Sequence, residues 1–170
     1  MRRNYRSSQR GQALVLFALV LPMLLMLMAF VLDVGWGYYM SKKAQTAADA
    51  AAMAAIDDVL QKVGAGGAVQ CGTSVQCQQV GACPTSGNLY DGCQYAAANG
   101  FTQGGDSGGQ SLSIAADTTS PIPNVAGISA AYWTQVTAQD KLPKWFSGMI
   151  SPNSLSPAAR STATSDMSIP

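Results

Sequence analysis

One unbroken apolar segment near the N-terminus dominates the pattern of hydrophobic and polar positions. From Ala13 to Leu32 every residue is Ala, Leu, Val, Phe, Met or Pro. A helix of about 20 apolar residues crosses the ~30 Å hydrocarbon core of a bilayer. A buried helix of a soluble protein rarely runs so long without a polar face. The pattern therefore predicts a transmembrane helix, which we assign to residues 12–35.

The helical pattern continues into an Ala-rich stretch, residues 36–63, which lacks Pro and has high intrinsic helix propensity beyond residue 40. Its small side chains line one face, formed by Ala44, Ala47, Ala48, Ala51 and Ala55. Small residues let another helix approach closely, so we predict a helix-association face here. The neighbouring apolar stripe suits packing on a sheet and consists of Met53, Ile56, Leu60 and Val63. Residues 12–63 would form one nearly continuous helix, roughly 75–80 Å long.

The remaining residues, 64–170, have the pattern of a small, loop-rich module that contains β-strands. Gly-rich and Pro/Ser-rich stretches separate short alternating segments. Three of these segments are predicted strands, Ser111–Ala116, Ala131–Ala138 and Ala159–Ser165, and Lys144–Met149 is a predicted short helix. The predicted fold class is α+β, with the long N-terminal helix packed on a small antiparallel sheet.

The distribution of charge predicts the topology. Four Arg lie among the first ten residues, whereas the segment that follows the apolar stretch carries Lys42 and Lys43. Cytoplasmic flanks carry the excess of positive charge, so residues 1–11 form a basic cytoplasmic leader and the rest of the chain is exported to the periplasm or the cell exterior. Trp36, Tyr38 and Tyr39 would form an interfacial aromatic belt. The apolar segment exceeds a normal signal-peptide core, which favours an uncleaved signal anchor.

Composition removes most catalytic chemistry. The chain has no His, all nine of its acidic residues are Asp, and its net charge is +1. Without His there is no Ser-His-Asp or Cys-His nucleophile and no His-ligated metal. The nearly balanced charge argues against nucleic-acid binding. The sequence therefore predicts no enzyme, no catalytic residue, no metal, no cofactor and no small-molecule substrate.

Four cysteines lie within the predicted exported module, at Cys71, Cys77, Cys83 and Cys93. An even number of cysteines on the exported side of a membrane indicates two disulfides, for which three connectivities exist. Zinc sites normally use Cys pairs separated by two to four residues, and these spacings are longer. We expect a structural role for these cysteines.

The segment from residue 10 to residue 55 carries a combination of motifs. A basic residue and Gly precede an apolar run, and an Asp-x-Gly-x-x-Tyr motif and an Ala-Ala-Asp-Ala-Ala-Ala block follow it. The matching positions are Gly11, Phe17, Pro22, Asp33, Gly35, Tyr38, Gln45 and residues 47–55. This combination resembles the N-terminal signature of TadE/TadG-like proteins of the tight-adherence (Flp-type) pilus. The resemblance implies a type IV pilin-like fold.

Prepilin-type processing is implied by the same resemblance. Cleavage would fall between Gly11 and Gln12, and Leu16 would then be the fifth residue of the mature chain. Pilins normally have Glu at that position, where it pairs with the N-terminal amine of a neighbouring subunit. The sequence leaves two alternatives open: an unprocessed membrane anchor, or a processed subunit at a special position such as the filament tip.

The function implied by the resemblance is structural. The chain would be a minor pilin or a membrane-anchored assembly component of a Tad-type pilus, associating through its N-terminal helix. Its partners would be the lipid bilayer and other pilin or Tad assembly proteins. The alternative is a single-pass anchored envelope binding protein that is not part of a filament.

Overall fold

A computed structural model of the chain describes residues 9–63, 69–72, 75–105, 109–118, 130–141 and 158–167. These residues divide into two units. The first contains residues 9–36, and the second contains the described residues from 37 onward. The predicted short helix Lys144–Met149 lies outside the described residues.

Helix α1, Gln9–Val63, is 55 residues long and contains Pro22. The prediction that the helical pattern continues from the apolar segment into the Ala-rich segment is confirmed. Pro22 is tolerated within a helix where the loss of one backbone hydrogen bond is compensated locally, as is common in membrane-spanning helices. Residues 9–36 of α1 are the whole described part of the first unit.

The second unit is built on a four-stranded antiparallel sheet. Its elements are β1 (Gln78–Gly81), α2 (Asn88–Ala98), β2 (Gln110–Asp117), β3 (Tyr132–Lys141) and β4 (Ala158–Met167). The strands neighbour one another in chain order, β1-β2-β3-β4, and every pair is antiparallel. All three predicted strands are confirmed, and so is the α+β fold class. Strand β1 and helix α2 were not predicted.

The core lies on one face of this sheet. Alternate positions of β2 and β3 point into it, among them Ile114 and Val136, which are register partners. The second part of α1 covers them with small side chains, and α2 and Phe101 complete the layer. On the opposite face, Trp133 packs with Ala115 and Ala130 in a separate small cluster. The thin core that the sequence indicates is therefore supplemented by the Ala-rich part of α1.

Candidate functional site

The N-terminal part of α1 exposes apolar side chains around its whole circumference. Every Leu, Val, Phe and Met from Leu14 to Leu32 is exposed within the chain's own fold. The most apolar 18-residue window has a mean hydropathy of 2.9, and none of it is buried. Among the described residues, α1 is the one helix long and apolar enough to cross a membrane. An apolar surface of this extent marks contact with lipid or with another protein.

Three aromatic side chains follow this apolar surface. Trp36, Tyr38 and Tyr39 keep 47, 66 and 56% of their surface exposed. Trp and Tyr combine an apolar ring with a polar group, which suits the boundary between hydrocarbon and water. Their exposure leaves them available for the interfacial belt that the sequence predicts.

The Ala face of α1 is buried inside the second unit. All five residues, Ala44, Ala47, Ala48, Ala51 and Ala55, are fully inaccessible and belong to the main core cluster. The sequence predicts a helix-association face here, and in the structure the chain's own sheet and α2 cover it. A helix does approach closely, as small residues allow, but that helix is α2.

Gly92 makes this close approach of the two helices geometrically feasible. A Cβ atom at Gly92 would lie 2.7 Å from the Ala51 carbonyl oxygen and 3.1 Å from Ala55 Cβ. At position 92 the interface between α2 and α1 therefore has room for a hydrogen atom and for nothing larger. Sequence reasoning missed this contact. The available signal was a Gly within a helix-forming stretch, which commonly has a packing reason.

The larger apolar stripe beside the Ala face is divided by the structure. Ile56 is buried and Val63 packs partly on the core, as a sheet-packing stripe requires. Met53 and Leu60 instead keep 65 and 45% of their surface exposed. The prediction that the whole stripe packs on the sheet is therefore wrong for these two residues, because Val59 and the Ala residues fill the space above the strands.

Gly11 and Gln12, the residues of the implied processing site, both lie within α1. They are exposed, and a Cβ atom at Gly11 would meet no atom within 4 Å. Leu16 lies beside them and is also exposed. The site is sterically accessible, and its cleavage stays a prediction.

The four cysteines form two disulfides, Cys71–Cys77 and Cys83–Cys93. This is one of the three connectivities that the sequence left open, and both bonds link cysteines adjacent in sequence order. Cys71, Cys77 and Asp117 are the one group of metal-ligating residue types that converge among the described residues. A disulfide sulfur has no thiolate to offer a metal, so the group is structural. Cys93 is buried on α2, and its disulfide fixes the preceding loop to that helix.

A buried polar network joins three segments of the second unit. Asn88 Nδ2 donates to the Tyr132 hydroxyl at 2.7 Å, and that hydroxyl donates to the Gln76 carbonyl at 2.8 Å. The Gln76 backbone N–H donates to Asn88 Oδ1 at 2.9 Å and closes the ring of contacts. Burial raises the pKa of the Tyr132 hydroxyl above its ordinary value of 10.0, although the hydrogen bond from Asn88 opposes this rise. No local sequence pattern indicates this network, because its members are far apart in sequence.

These features describe a class of protein: an α+β protein with an exposed apolar N-terminal helix and a small disulfide-linked module. Comparison with protein families gives a match at residues 11–70 to the family described as Putative Flp pilus-assembly TadE/G-like. Over these residues, which include most of α1, the chain is similar to TadE/TadG-like proteins. The comparisons with curated proteins and with solved structures find no match.

Proposed function

We propose that the chain is a minor pilin or a membrane-anchored assembly component of a Tad-type pilus and associates with its partners through α1. The observation that carries this proposal is the apolar part of α1, which no described residue of the chain covers. The family match lies on the same helix and supports a pilus-associated component. The chemistry of assembly would come from other proteins of the system.

The proposed topology has residues 1–11 in the cytoplasm, residues 12–35 in the membrane and the remainder exported. The excess of Arg at the N-terminus supports this orientation. The two disulfides support it independently, because such bonds form and persist in oxidising compartments outside the cytoplasm. The family and the helix together indicate a membrane-anchored envelope protein.

The proposed association surface is the apolar part of α1, since the Ala face is occupied by the chain's own core. Within the second unit, Met53 and Leu60 are further exposed apolar side chains of α1. Exposed apolar side chains of this kind suit a subunit that packs against neighbouring helices of a filament or an assembly complex. Truncating the Met53 and Leu60 side chains would weaken association and leave the fold of the second unit intact.

The experiment that tests this function is the N-terminal sequence and intact mass of the chain, recovered from native membranes and from sheared surface filaments. A chain that begins at Gln12 and is recovered in filaments identifies a minor pilin. A chain that retains its leader and co-purifies with Tad proteins in membranes identifies an assembly component. Recovery in membranes alone, without any pilus protein, would contradict the proposal and favour the anchored binding protein.

Gly11 offers a matched pair of variants for this experiment. Gly11→Val should block cleavage, because a bulky side chain at the cleaved bond obstructs a peptidase that accepts Gly. Gly35→Val is the control, since both glycines lie in α1 with no neighbouring atom within 4 Å of an added Cβ. If Gly11→Val is cleaved before Gln12 as efficiently as the wild type, the cleavage does not depend on Gly11 and a prepilin-type peptidase is excluded.

A further inference from the structure

A cleft in the second unit brings two lysines together. It has a volume of about 260 Å³ and is lined by Tyr39, Lys42, Lys43, Thr46 and Asn99. The first four residues lie on α1, and Asn99 follows the last residue of α2. No sequence motif and no part of the proposed function uses this cleft.

Both ammonium groups are held on aromatic rings. Lys42 Nζ lies 5.6 Å from the centroid of Tyr38, one turn earlier on α1. Lys43 Nζ lies 5.9 Å from the centroid of Phe101, which is fully buried. Cation–π contacts of this kind restrict the position of a lysine without neutralising its charge. The two charges are therefore positioned in advance.

The lysines lack carboxylate partners. Within the described part of the chain, no Asp carboxylate lies within 4.0 Å of either ammonium group, and the ion pair found there joins Lys62 to Asp58. The Lys43 ammonium group lies beside Gly100, two residues after the end of α2, and the C-terminal carbonyls of that helix attract it weakly. Lys42 has no such compensation, so the cleft keeps a net positive charge.

The wall of the cleft that α2 supplies is fixed by hydrogen bonds. Asn99 Nδ2 donates to the Tyr95 carbonyl at 2.8 Å. Gln110 Nε2 donates to the Gly100 carbonyl at 3.2 Å, and Gln110 Oε1 accepts from the Thr102 backbone N–H at 3.1 Å. The segment that follows α2 is thereby attached to β2, and the cleft does not depend on a free loop.

The position of the cleft along the sequence matches the headgroup layer of a bilayer. Tyr38, whose ring contacts the Lys42 ammonium group, follows the proposed span 12–35 by three residues, or about 4–5 Å of helix. The headgroup region extends about 5–7 Å beyond the hydrocarbon on each side. Lys42 and Lys43 themselves follow the span by seven and eight residues, about 10–12 Å of helix, and the Lys42 side chain reaches back to the Tyr38 ring, so that its ammonium group faces the phosphates of the leaflet on the exported side.

We propose that this cleft binds the phosphate of an anionic phospholipid, such as phosphatidylglycerol, through Lys42 and Lys43. The inference rests on the proposed membrane insertion of α1. The two ammonium groups bind the phosphate, and Tyr39 and Thr46 line the same cleft. The bound lipid connects the exported module to the membrane surface and restricts rotation of α1 about its axis.

The test titrates the full chain in detergent with phosphatidylglycerol or phosphatidylcholine and counts bound lipid by native mass spectrometry. Phosphatidylglycerol should bind more tightly. The double variant Lys42→Gln/Lys43→Gln should weaken its binding about 20- to 30-fold, taking about 1 kcal/mol for each lysine near a lipid surface. The variant Lys42→Arg/Lys43→Arg should retain binding close to that of the wild type.

The matched control is Lys62→Gln/Lys141→Gln, which removes the same charge at exposed sites away from the cleft. Equal losses in the two double variants, or equal binding of the two lipids, would overturn the proposal. Displacement of phosphatidylglycerol by excess inorganic phosphate would also overturn the lipid assignment, because the cleft would then be a site for free phosphate.

Alkaline extraction of the same wild-type chain from vesicles tests whether the chain is inserted in the membrane, independently of whether it prefers one lipid. A chain that resists extraction but shows no lipid preference contradicts the inference alone. A chain that alkali releases is not an integral membrane protein, and this result overturns both the proposed anchor and the lipid site that rests on it.

Discussion

Gly92 shows how one residue sets the distance between two helices. Its missing side chain lets α2 rest against Ala51 and Ala55 of α1, two residues that are themselves small. Both sides of this contact are required, since a larger group on either helix would separate them. Close-packed interiors do not absorb an added methyl group without displacement of the backbone or of neighbouring side chains.

Gly92→Ala should therefore destabilise the second unit by about 1–2 kcal/mol, although Ala favours a helix over Gly by up to ~1 kcal/mol. Chemical denaturation of the full chain in detergent, followed by near-UV circular dichroism, measures the change. Gly35→Ala is the control, since it makes the same substitution in a helix where the added Cβ meets nothing within 4 Å. A Gly92→Ala protein as stable as the wild type would contradict the close contact.

Tyr132 combines a large buried ring with a hydroxyl that serves as both donor and acceptor. Its two hydrogen bonds connect Asn88 at the start of α2 with Gln76 in the loop that the Cys71–Cys77 disulfide closes. Burial of polar groups costs free energy unless they are paired, so the three partners specify one arrangement of these segments. Tyr132→Phe leaves the buried Asn88 amide and the partly buried Gln76 carbonyl without this partner and should cost about 1–3 kcal/mol at neutral pH.

Tyr132 also predicts a dependence of stability on pH. Its pKa in the folded protein is raised above 10.0, so above about pH 10 the unfolded chain loses a proton that the folded chain retains. Stability should be independent of this group below the unfolded pKa and should fall as the pH rises through the folded pKa. Denaturation at pH 7 to 11 tests this prediction. Tyr132→Phe should reduce the decline, whereas Tyr95→Phe, at an exposed tyrosine, should leave it unchanged.

Helix α1 changes its environment along its length. Its first part is apolar and exposed on all sides, whereas from Met40 onward one face is buried by the chain's own sheet. The composition follows this change: bulky Leu and Met precede the aromatic residues, and Ala follows them. A helix that first crosses a membrane and then packs in a protein core needs these two compositions. Lipid accommodates bulky side chains, whereas packing against a sheet at this distance accommodates small ones.

The two disulfides should contribute unequally to stability. The Cys83–Cys93 bond closes the longer loop and attaches it to the buried side of α2, whereas Cys71–Cys77 spans six positions at the surface. Each bond contributes about 2–3 kcal/mol by loop closure alone. We expect Cys83→Ser/Cys93→Ser to be the more destabilising variant in chemical denaturation. Non-reducing peptide mapping checks the pairing, and a bond between Cys77 and Cys83 would contradict the structure.

The sequence predicts the three longer strands from their alternation of apolar and polar residues, and it predicts α1 from an unbroken apolar segment followed by an Ala-rich one. It does not predict β1, a strand of four residues whose pairing with β2 is irregular. Helix α2 was missed because Gly92 and its short length weaken the helical pattern. The burial of the Ala face could not be inferred either, since small residues favour close packing without specifying which helix packs there.

The whole molecule combines a proposed bilayer anchor with a module that has its own core. The N-terminal Arg residues and the disulfides independently support export of that module. Protease added to spheroplasts should digest the module and leave an N-terminal fragment that contains the Arg residues and the apolar segment. Replacing all four leader Arg residues with Asn should lower the fraction of correctly oriented chains. A module protected in intact spheroplasts would contradict the topology.

Photo-cross-linking tests whether the protein associates with its partners through the apolar part of α1. A photoreactive phenylalanine analogue is placed at Leu24, an exposed position of the apolar segment, or at Tyr95, an exposed aromatic position of the module. Association through this surface should give adducts between Leu24 and another Tad pilus protein, identified by mass spectrometry in cells that assemble the pilus. Protein adducts from Tyr95, together with adducts to lipid alone from Leu24, would contradict it.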